Sequence, residues 1–265
     1  MNTQTLPGAR PEGAQDEREA RQHVRRMFGD IAGTYDFLNH FLSGNLDRLW
    51  RHRTALLFDD ILRLPHARVL DVCCGTGDLA LALKRRATHS CSPGAAIIGC
   101  DFAHPMLVRA SEKARDAGYA EGRPPGAVRY LEADAMELPF ADQSCDLITT
   151  AFGFRNLVNY DEGLREFFRV LLPGGRLGIL ECAEPRGAMF GPLYRFYFHR
   201  ILPLVGGAIS GCGDAYSYLP ASVAKFPEPE KLGESMEAAG FTAVEHHSWT
   251  GGSVILHTAR RPAQP

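Results

Sequence analysis

An apolar run breaks into a Gly-x-Gly turn and then a helix-forming stretch, Val69-Leu70-Asp71-Val72-Cys73-Cys74-Gly75-Thr76-Gly77-Asp78-Leu79-Ala80. No other part of the chain constrains the fold as strongly. Glycine is needed where a turn requires positive φ or where a ligand meets bare backbone, and strand, glycine turn and helix together open a βαβ crossover. The rhythm recurs downstream. Short apolar runs at 68–72 and 96–100 are each followed by a helical stretch, at 78–86 and 105–117. Strands are then predicted at 128–131 and 145–150, a helix at 161–170, and a strand at 176–181 after the turn Pro173-Gly174-Gly175. Five strands in this order predict an α/β fold with an open, doubly wound, mostly parallel sheet. Two further strand-like runs, 241–249 and 253–259, flank Thr250-Gly251-Gly252 and predict an antiparallel C-terminal hairpin, making seven strands.

A chain of 265 residues suits one core of this kind with added helices rather than two domains. Residues 1–19, rich in Pro, Gly and charge, read as a disordered tail, and the single domain is expected over 20–261. Within it, 20–64 read as leading helices, with Asp47 placed to cap 48–58, and 186–230 as a lid-like insertion. The net charge of −2 with no separate Lys/Arg block excludes a nucleic-acid partner. Seven cysteines without paired metal-ligand spacing predict neither a disulfide framework nor a zinc site, and read as small buried hydrophobes. No stretch reaches the roughly 18 to 20 apolar residues of a membrane span, so a cytoplasmic location is expected.

The Gly75-x-Gly77-x-x-Ala80 spacing also fits a dinucleotide fingerprint, which keeps a nicotinamide-dependent oxidoreductase in view. Charge separates the two. A pyrophosphate seeks the positive N-terminus of the first helix, whereas here Asp71 leads into the turn and Asp78 stands at the helix start. S-adenosylmethionine has no phosphate and carries an ammonium and a sulfonium, so the same carboxylates attract it. Asp78 reads equally as a helix cap. Asp101, ending the second strand, is placed to accept hydrogen bonds from ribose hydroxyls, a position both cofactor classes use. Asp134 either accepts from an adenine amino group or caps a turn.

Further segments carry a resemblance. They are Met27-Phe28-Gly29-Asp30-Ile31-Ala32-Gly33-Thr34-Tyr35-Asp36-Phe37-Leu38-Asn39, Leu49-Trp50-Arg51, the glycine loop, 134–140, Ala151-Phe152-Gly153-Phe154-Arg155-Asn156 and 169–175. With them the chain resembles the UbiE/MenG/COQ5 family of Rossmann-like class I methyltransferases from about residue 24 to residue 260. By position, the resemblance implies that Thr76, Asp101, Asp134 and Ala135 contact S-adenosylmethionine, beside Asp71, Gly75 and Gly77 of the loop. Members often have Asn at the position of Asp134 and some have Ser at that of Ala151.

The resemblance also implies a prenylated demethylquinol substrate methylated on a ring carbon. The menaquinone precursor is the preferred substrate and the 6-methoxybenzoquinol of ubiquinone synthesis the alternative. A non-catalytic cofactor-binding subunit of a quinone-synthesis complex is the reading from another class. Arg155 is expected to stabilise the ring phenolate, Asn156 to orient the second oxygen and Tyr35 to lie over the ring or bond its oxygen. The competing roles are neutralisation of a carboxylate for Arg155, a turn cap for Asn156 and core packing for Tyr35. No metal is required. The aromatic segment 189–202, with Arg195, His199 and Arg200, is expected to shelter the prenyl tail or to touch anionic lipid at the inner face of the cell membrane. A homodimer is the default assembly.

Overall fold

The computed structural model describes residues 8–11, 13–64, 66–89, 95–120, 126–185, 191, 200 and 213–263. Four leading helices, α1 (Glu17–Ile31), α2 (Tyr35–Leu42), α3 (Leu46–Leu57) and α4 (Asp59–Leu62), precede β1 (Arg68–Val72) and α5 (Asp78–His89). Then follow β2 (Ala96–Asp101), α6 (His104–Asp116), β3 (Val128–Glu132), β4 (Cys145–Ala151), α7 (Tyr160–Val170) and β5 (Leu171–Cys182). From residue 213 onward come α8 (Gly213–Lys225), α9 (Pro229–Ala238), β6 (Thr242–Trp249) and β7 (Val254–Arg260).

The seven strands form one sheet in the order β3-β2-β1-β4-β5-β7-β6, with β1 to β5 parallel. β7 runs antiparallel to both β5 and β6, so the terminal hairpin inserts its last strand between its first and the parallel sheet. Side chains along β1 alternate in direction, as a strand requires. Leu70 and Val72 join a core with Phe154, Leu164 and Phe167 on one face, and Val69 meets Phe58, Leu62 and Leu83 on the other. Helices thus cover both faces, which is why these strands are nearly all apolar.

Local chemistry fixes the ends. Asp16, the N-cap, accepts from the Glu19 N–H at 2.8 Å and starts α1, while the Glu19 side chain accepts from the Gln15 N–H at 2.9 Å, one residue before the cap. Helix α1 therefore starts before the expected boundary at 20. Even Ala9 is buried, its N–H donating to the Leu157 carbonyl at 2.7 Å. Asp47 does not cap its helix: Asn45, at φ 63, holds the N-cap without a side-chain bond, and Asp47 turns inward in the first turn. β5 starts at Leu171 rather than 176, with a register shift that absorbs Pro173-Gly174-Gly175 as an irregularity inside the strand. Cys73, Cys74, Cys100, Cys145 and Cys182 are free.

The aromatic segment 189–202 lies outside the described residues apart from positions 191 and 200. The described end of the insertion, α8, packs Leu219 and Val223 against Ile31, Ala32 and Met106, joining it to the leading helices. Among the described residues no helix is long and apolar enough to cross a membrane.

Candidate functional site

The sheet order reverses direction between β1 and β4, and ligands of doubly wound folds bind at the C-terminal ends of the strands beside such a switch point. A cleft of about 890 Å³ opens there. Its floor is the glycine loop, where Cys73, Gly75 and Gly77 have φ values of 53, 54 and 82. A Cβ on Gly77 would stand 2.4 Å from the Tyr130 hydroxyl, so glycine is required there by space as well as by φ. At Gly75 the nearest atom to such a Cβ is Tyr35 Cε1 at 3.8 Å, which leaves the backbone open to a ligand. Phe152, just after β4, is also left-handed at φ 61, and a Cβ on Gly153 would meet Cys73 Cβ at 2.4 Å. The two loops at the switch point therefore interlock. Left-handed conformations at Cys73 and Phe152 each cost about 1–3 kcal/mol and persist only where packing imposes them.

Four acids line this cleft, Asp71, Asp78, Asp101 and Asp134, in different settings. Asp71 is fully buried; Thr149 donates to its Oδ1 at 2.9 Å, and its Oδ2 has no hydrogen-bond partner. Burial pushes its pKa up to about 7. Asp101 accepts from the Gly75 N–H through Oδ2 and from the Ala103 N–H through Oδ1, both at 2.9 Å, tying the glycine loop to the end of β2. Burial raises its pKa against those two donors. Asp134 accepts from the Met136 N–H at 2.9 Å, as a turn cap would, and pairs with Arg21 of α1 at 2.7 Å. Ala135 is buried beside it and lines the cleft.

Thr76 donates to Asp36 and accepts from Lys113 at 3.2 Å, so α2 and α6 close over the loop. Lys113 also pairs with Asp36 at 2.7 Å and Asp78 at 2.5 Å. Burial favours the neutral form of Asp78, but Arg51 and Lys113 outweigh it and hold the carboxyl below its usual range. Asp78 is thus ionised and already neutralised by protein cations, which removes most of the repulsion that the sequence alone assigned to it. Asp71 carries that discrimination, because both cofactor classes use an acid at the position of Asp101. Arg51, Asp47, His40 and Lys113 form a network at the mouth that sequence reasoning missed: their spacing is ordinary for exposed helices, and only the packing of α2, α3 and α6 brings them together.

Tyr35 lies over the glycine loop, and burial raises its hydroxyl pKa, so it stays a donor. Asn156 lines the cleft and accepts from the Tyr218 hydroxyl of α8 at 3.1 Å. Arg155 sits behind it. Its guanidinium is buried, bonded to the Phe152 carbonyl, to Glu181 at 3.0 Å and to Ser222 of α8 at 3.3 Å, while its backbone N–H donates to the other oxygen of Glu181. Arg155 is not among the residues that line the cleft, and its partner set is that of a neutralised carboxylate. Glu181, Ser222 and Tyr218 were not singled out from the sequence. Glu181 ends an apolar strand, where a buried acid facing an arginine is a recoverable signal.

Solved structures share this architecture. A SAM-dependent methyltransferase from Aquifex aeolicus superposes with a TM-score of 0.54 at 18% identity, over 79% of this chain and 89% of that one. The [4+2]-cyclase SpnF superposes with a TM-score of 0.60 at 21% identity, over 92% and 96%. Sequence relatives are nearer. The demethylmenaquinone methyltransferase of Thermus thermophilus is 48% identical over 89% of this chain and 100% of its own length, and that of Deinococcus radiodurans is 45% identical over 85% and 88%. A ubiquinone/menaquinone biosynthesis C-methyltransferase of Geotalea daltonii is 41% identical over 92% and 98%. Family-wide features match over residues 14–261, and the chain belongs to the ubiE/COQ5 methyltransferase family.

Proposed function

We propose that the chain transfers a methyl group from S-adenosylmethionine to a ring carbon of a prenylated demethylquinol, converting demethylmenaquinol to menaquinol. The observation that carries the reading is a switch-point cleft whose buried acid, Asp71, keeps one oxygen unpartnered, in a chain 48% identical to a demethylmenaquinone methyltransferase. Such an orphaned oxygen suits a cationic ligand and opposes a pyrophosphate. Bound there, S-adenosylmethionine supplies a methyl group activated on a sulfonium.

The protein's part is to position and to stabilise charge. Asp101 keeps spare acceptor positions beside its two backbone donors and holds the ribose hydroxyls. Asp71 faces the ammonium, and Gly75, Thr76 and Gly77 offer backbone to the ligand. Ala135 and the turn of Asp134 border the adenine. Tyr35 donates to the ring oxygen whose negative charge drives carbon attack, and Asn156 orients the quinol from the opposite wall. Arg155 acts at one remove, fixing the Phe152 carbonyl and the turn that bears Asn156. A hydrogen bond to a charged oxygen is worth about 1.5–3 kcal/mol, so Tyr35→Phe is expected to lower kcat by roughly 10-fold to 100-fold with little change in S-adenosylhomocysteine affinity. The test is transfer of label from S-adenosylmethionine to short-chain naphthoquinol and benzoquinol acceptors. Label in the naphthoquinol product is expected; binding without transfer to either acceptor leaves the non-catalytic subunit as the explanation.

Asp71 predicts a proton signature. Its pKa of about 7 in the folded protein lies above the value near 4 of an unfolded aspartate. Between those pH values the folded state holds a proton that the unfolded state has lost, so this group's contribution to stability declines as pH rises through the window. A bound ammonium reverses the preference and favours the carboxylate. S-adenosylhomocysteine, which keeps the ammonium, is therefore expected to expel most of one proton on binding at pH 6 and almost none at pH 8. Calorimetry in buffers of different ionisation enthalpy measures this. Asp71→Asn should abolish the pH 6 release, and a wild-type protein without it would not have the ammonium at Asp71.

A further inference from the structure

We propose that the outer face of α2 and α3 docks on an anionic lipid surface. The proposal extends the prenyl-quinol reading by naming where a substrate of low water solubility arrives. Nine large apolar side chains are well exposed among the described residues, and seven of them fall between Phe37 and Leu64. Phe37 and Phe41 are 59% and 56% exposed and stack on each other at 5.9 Å and 11°. Leu46, Leu49 and Leu56 follow along one stripe of α3 at helical spacing, each about two-fifths exposed. Clustered apolar exposure of this kind marks an interaction surface, whereas scattered single residues need no explanation.

Charge selects the partner. Arg48, His52 and Arg53 stand exposed on the same outer arc of α3 and form no ion pair among the described residues. The acids of these two helices are turned away: Asp36 binds Thr76 and Lys113, and buried Asp47 binds Arg51 and His40. Apolar side chains interleaved with unpaired basic ones suit the interface of an acidic bilayer. The segment 189–202 is a poorer occupant, because it contains Arg195, His199 and Arg200 and no acid, and would bring like charges together. A second copy meeting face to face would oppose the same arginines.

The placement also has a use. On α2, Tyr35 and Asn39 lie on the face opposite Phe37 and Phe41, so one helix, about 10 Å thick, separates the proposed lipid face from the cleft. A quinol ring could leave the bilayer beside α2 while its tail stays in lipid.

Flotation of the full chain tests this, with vesicles of phosphatidylcholine alone or mixed with phosphatidylglycerol, at low and high salt. The wild type is expected to partition onto the acidic vesicles on the order of 10-fold to 100-fold more strongly than onto neutral ones, and to lose that gain in high salt. The pair Phe37→Ser/Phe41→Ser and the pair Arg48→Gln/Arg53→Gln should each reduce acidic binding about 10-fold or more. Both should keep the wild-type S-adenosylhomocysteine affinity, which reports that they fold. Wild-type protein that floats with neither vesicle, or variants that float as well as it does, would overturn the proposal. So would a dimer in size exclusion that the phenylalanine pair dissociates without any change in flotation. Transfer to a short-chain quinol without vesicles separates the two ideas: transfer without flotation sinks the docking alone, and flotation without transfer sinks the enzymatic reading alone.

Discussion

Replacing Asp101 by alanine is expected to weaken S-adenosylhomocysteine binding by roughly 100-fold to 10,000-fold, since two charge-assisted hydrogen bonds of about 1.5–3 kcal/mol each are lost. The loss is compounded by what Asp101 does without a ligand. One oxygen holds the Gly75 N–H and the other the Ala103 N–H, so alanine frees two backbone donors and loosens the loop that must present its amides. Asp101→Asn keeps an acceptor for one of the two donors and should fall between alanine and wild type. Calorimetric titration measures the affinities. An Asp101→Ala protein that binds within a few-fold of wild type would place the nucleoside elsewhere in the cleft.

The second large effect is on stability and concerns Arg155. Removing one member of a buried ion pair strands the other, at about 3–5 kcal/mol. Arg155→Ala would leave Glu181, only 1% exposed, with the backbone N–H groups of residue 155 and Cys182 alone. At about 2–4 °C per kcal/mol for a chain of this size, the thermal midpoint is expected to drop by roughly 6–20 °C. Arg155→Met combined with Glu181→Leu removes both charges and should recover most of the midpoint, as exchange of a buried pair for apolar groups of similar volume generally does. Turnover should not recover with it, because the Phe152 carbonyl and the turn before Asn156 lose their tether. A single variant that melts like the wild type yet has lost turnover would return Arg155 to direct contact with the quinol.

The seven strands and the glycine loop were legible because their signals are local: a strand's apolar run and a turn's need for glycine are written in adjacent residues. Asp71, inside β1, and Asp101, ending β2, could be located from the strand pattern, whereas Ala135 came from the family resemblance; all three line the cleft. The cation network could not. Lys113 lies on α6 and Arg51 on α3, far apart in sequence, and their meeting at Asp78 depends on how two helices seat against a third. Neutralisation of a carboxylate was the competing role expected of Arg155, but Glu181 itself was not foreseen, because it arrives from β5, 26 positions later. Asp47 was misread as a cap for a similar reason. Its pull toward Arg51 and His40 outweighs the few tenths to about 2 kcal/mol of a capping bond.

The interlocked turns after β1 and β4 bear on how a ligand gets in and out. With Gly153 pressed against Cys73, and Cys73 and Phe152 both held left-handed, the rear wall of the cleft is a single stiff piece. The front is assembled differently, from separate helices fastened by polar side chains such as Arg21 to Asp134 and Lys113 to Asp36. Entry and exit therefore belong to the helical front, where parting costs a few ionic contacts, while the strand ends keep the reacting geometry unchanged from one turnover to the next.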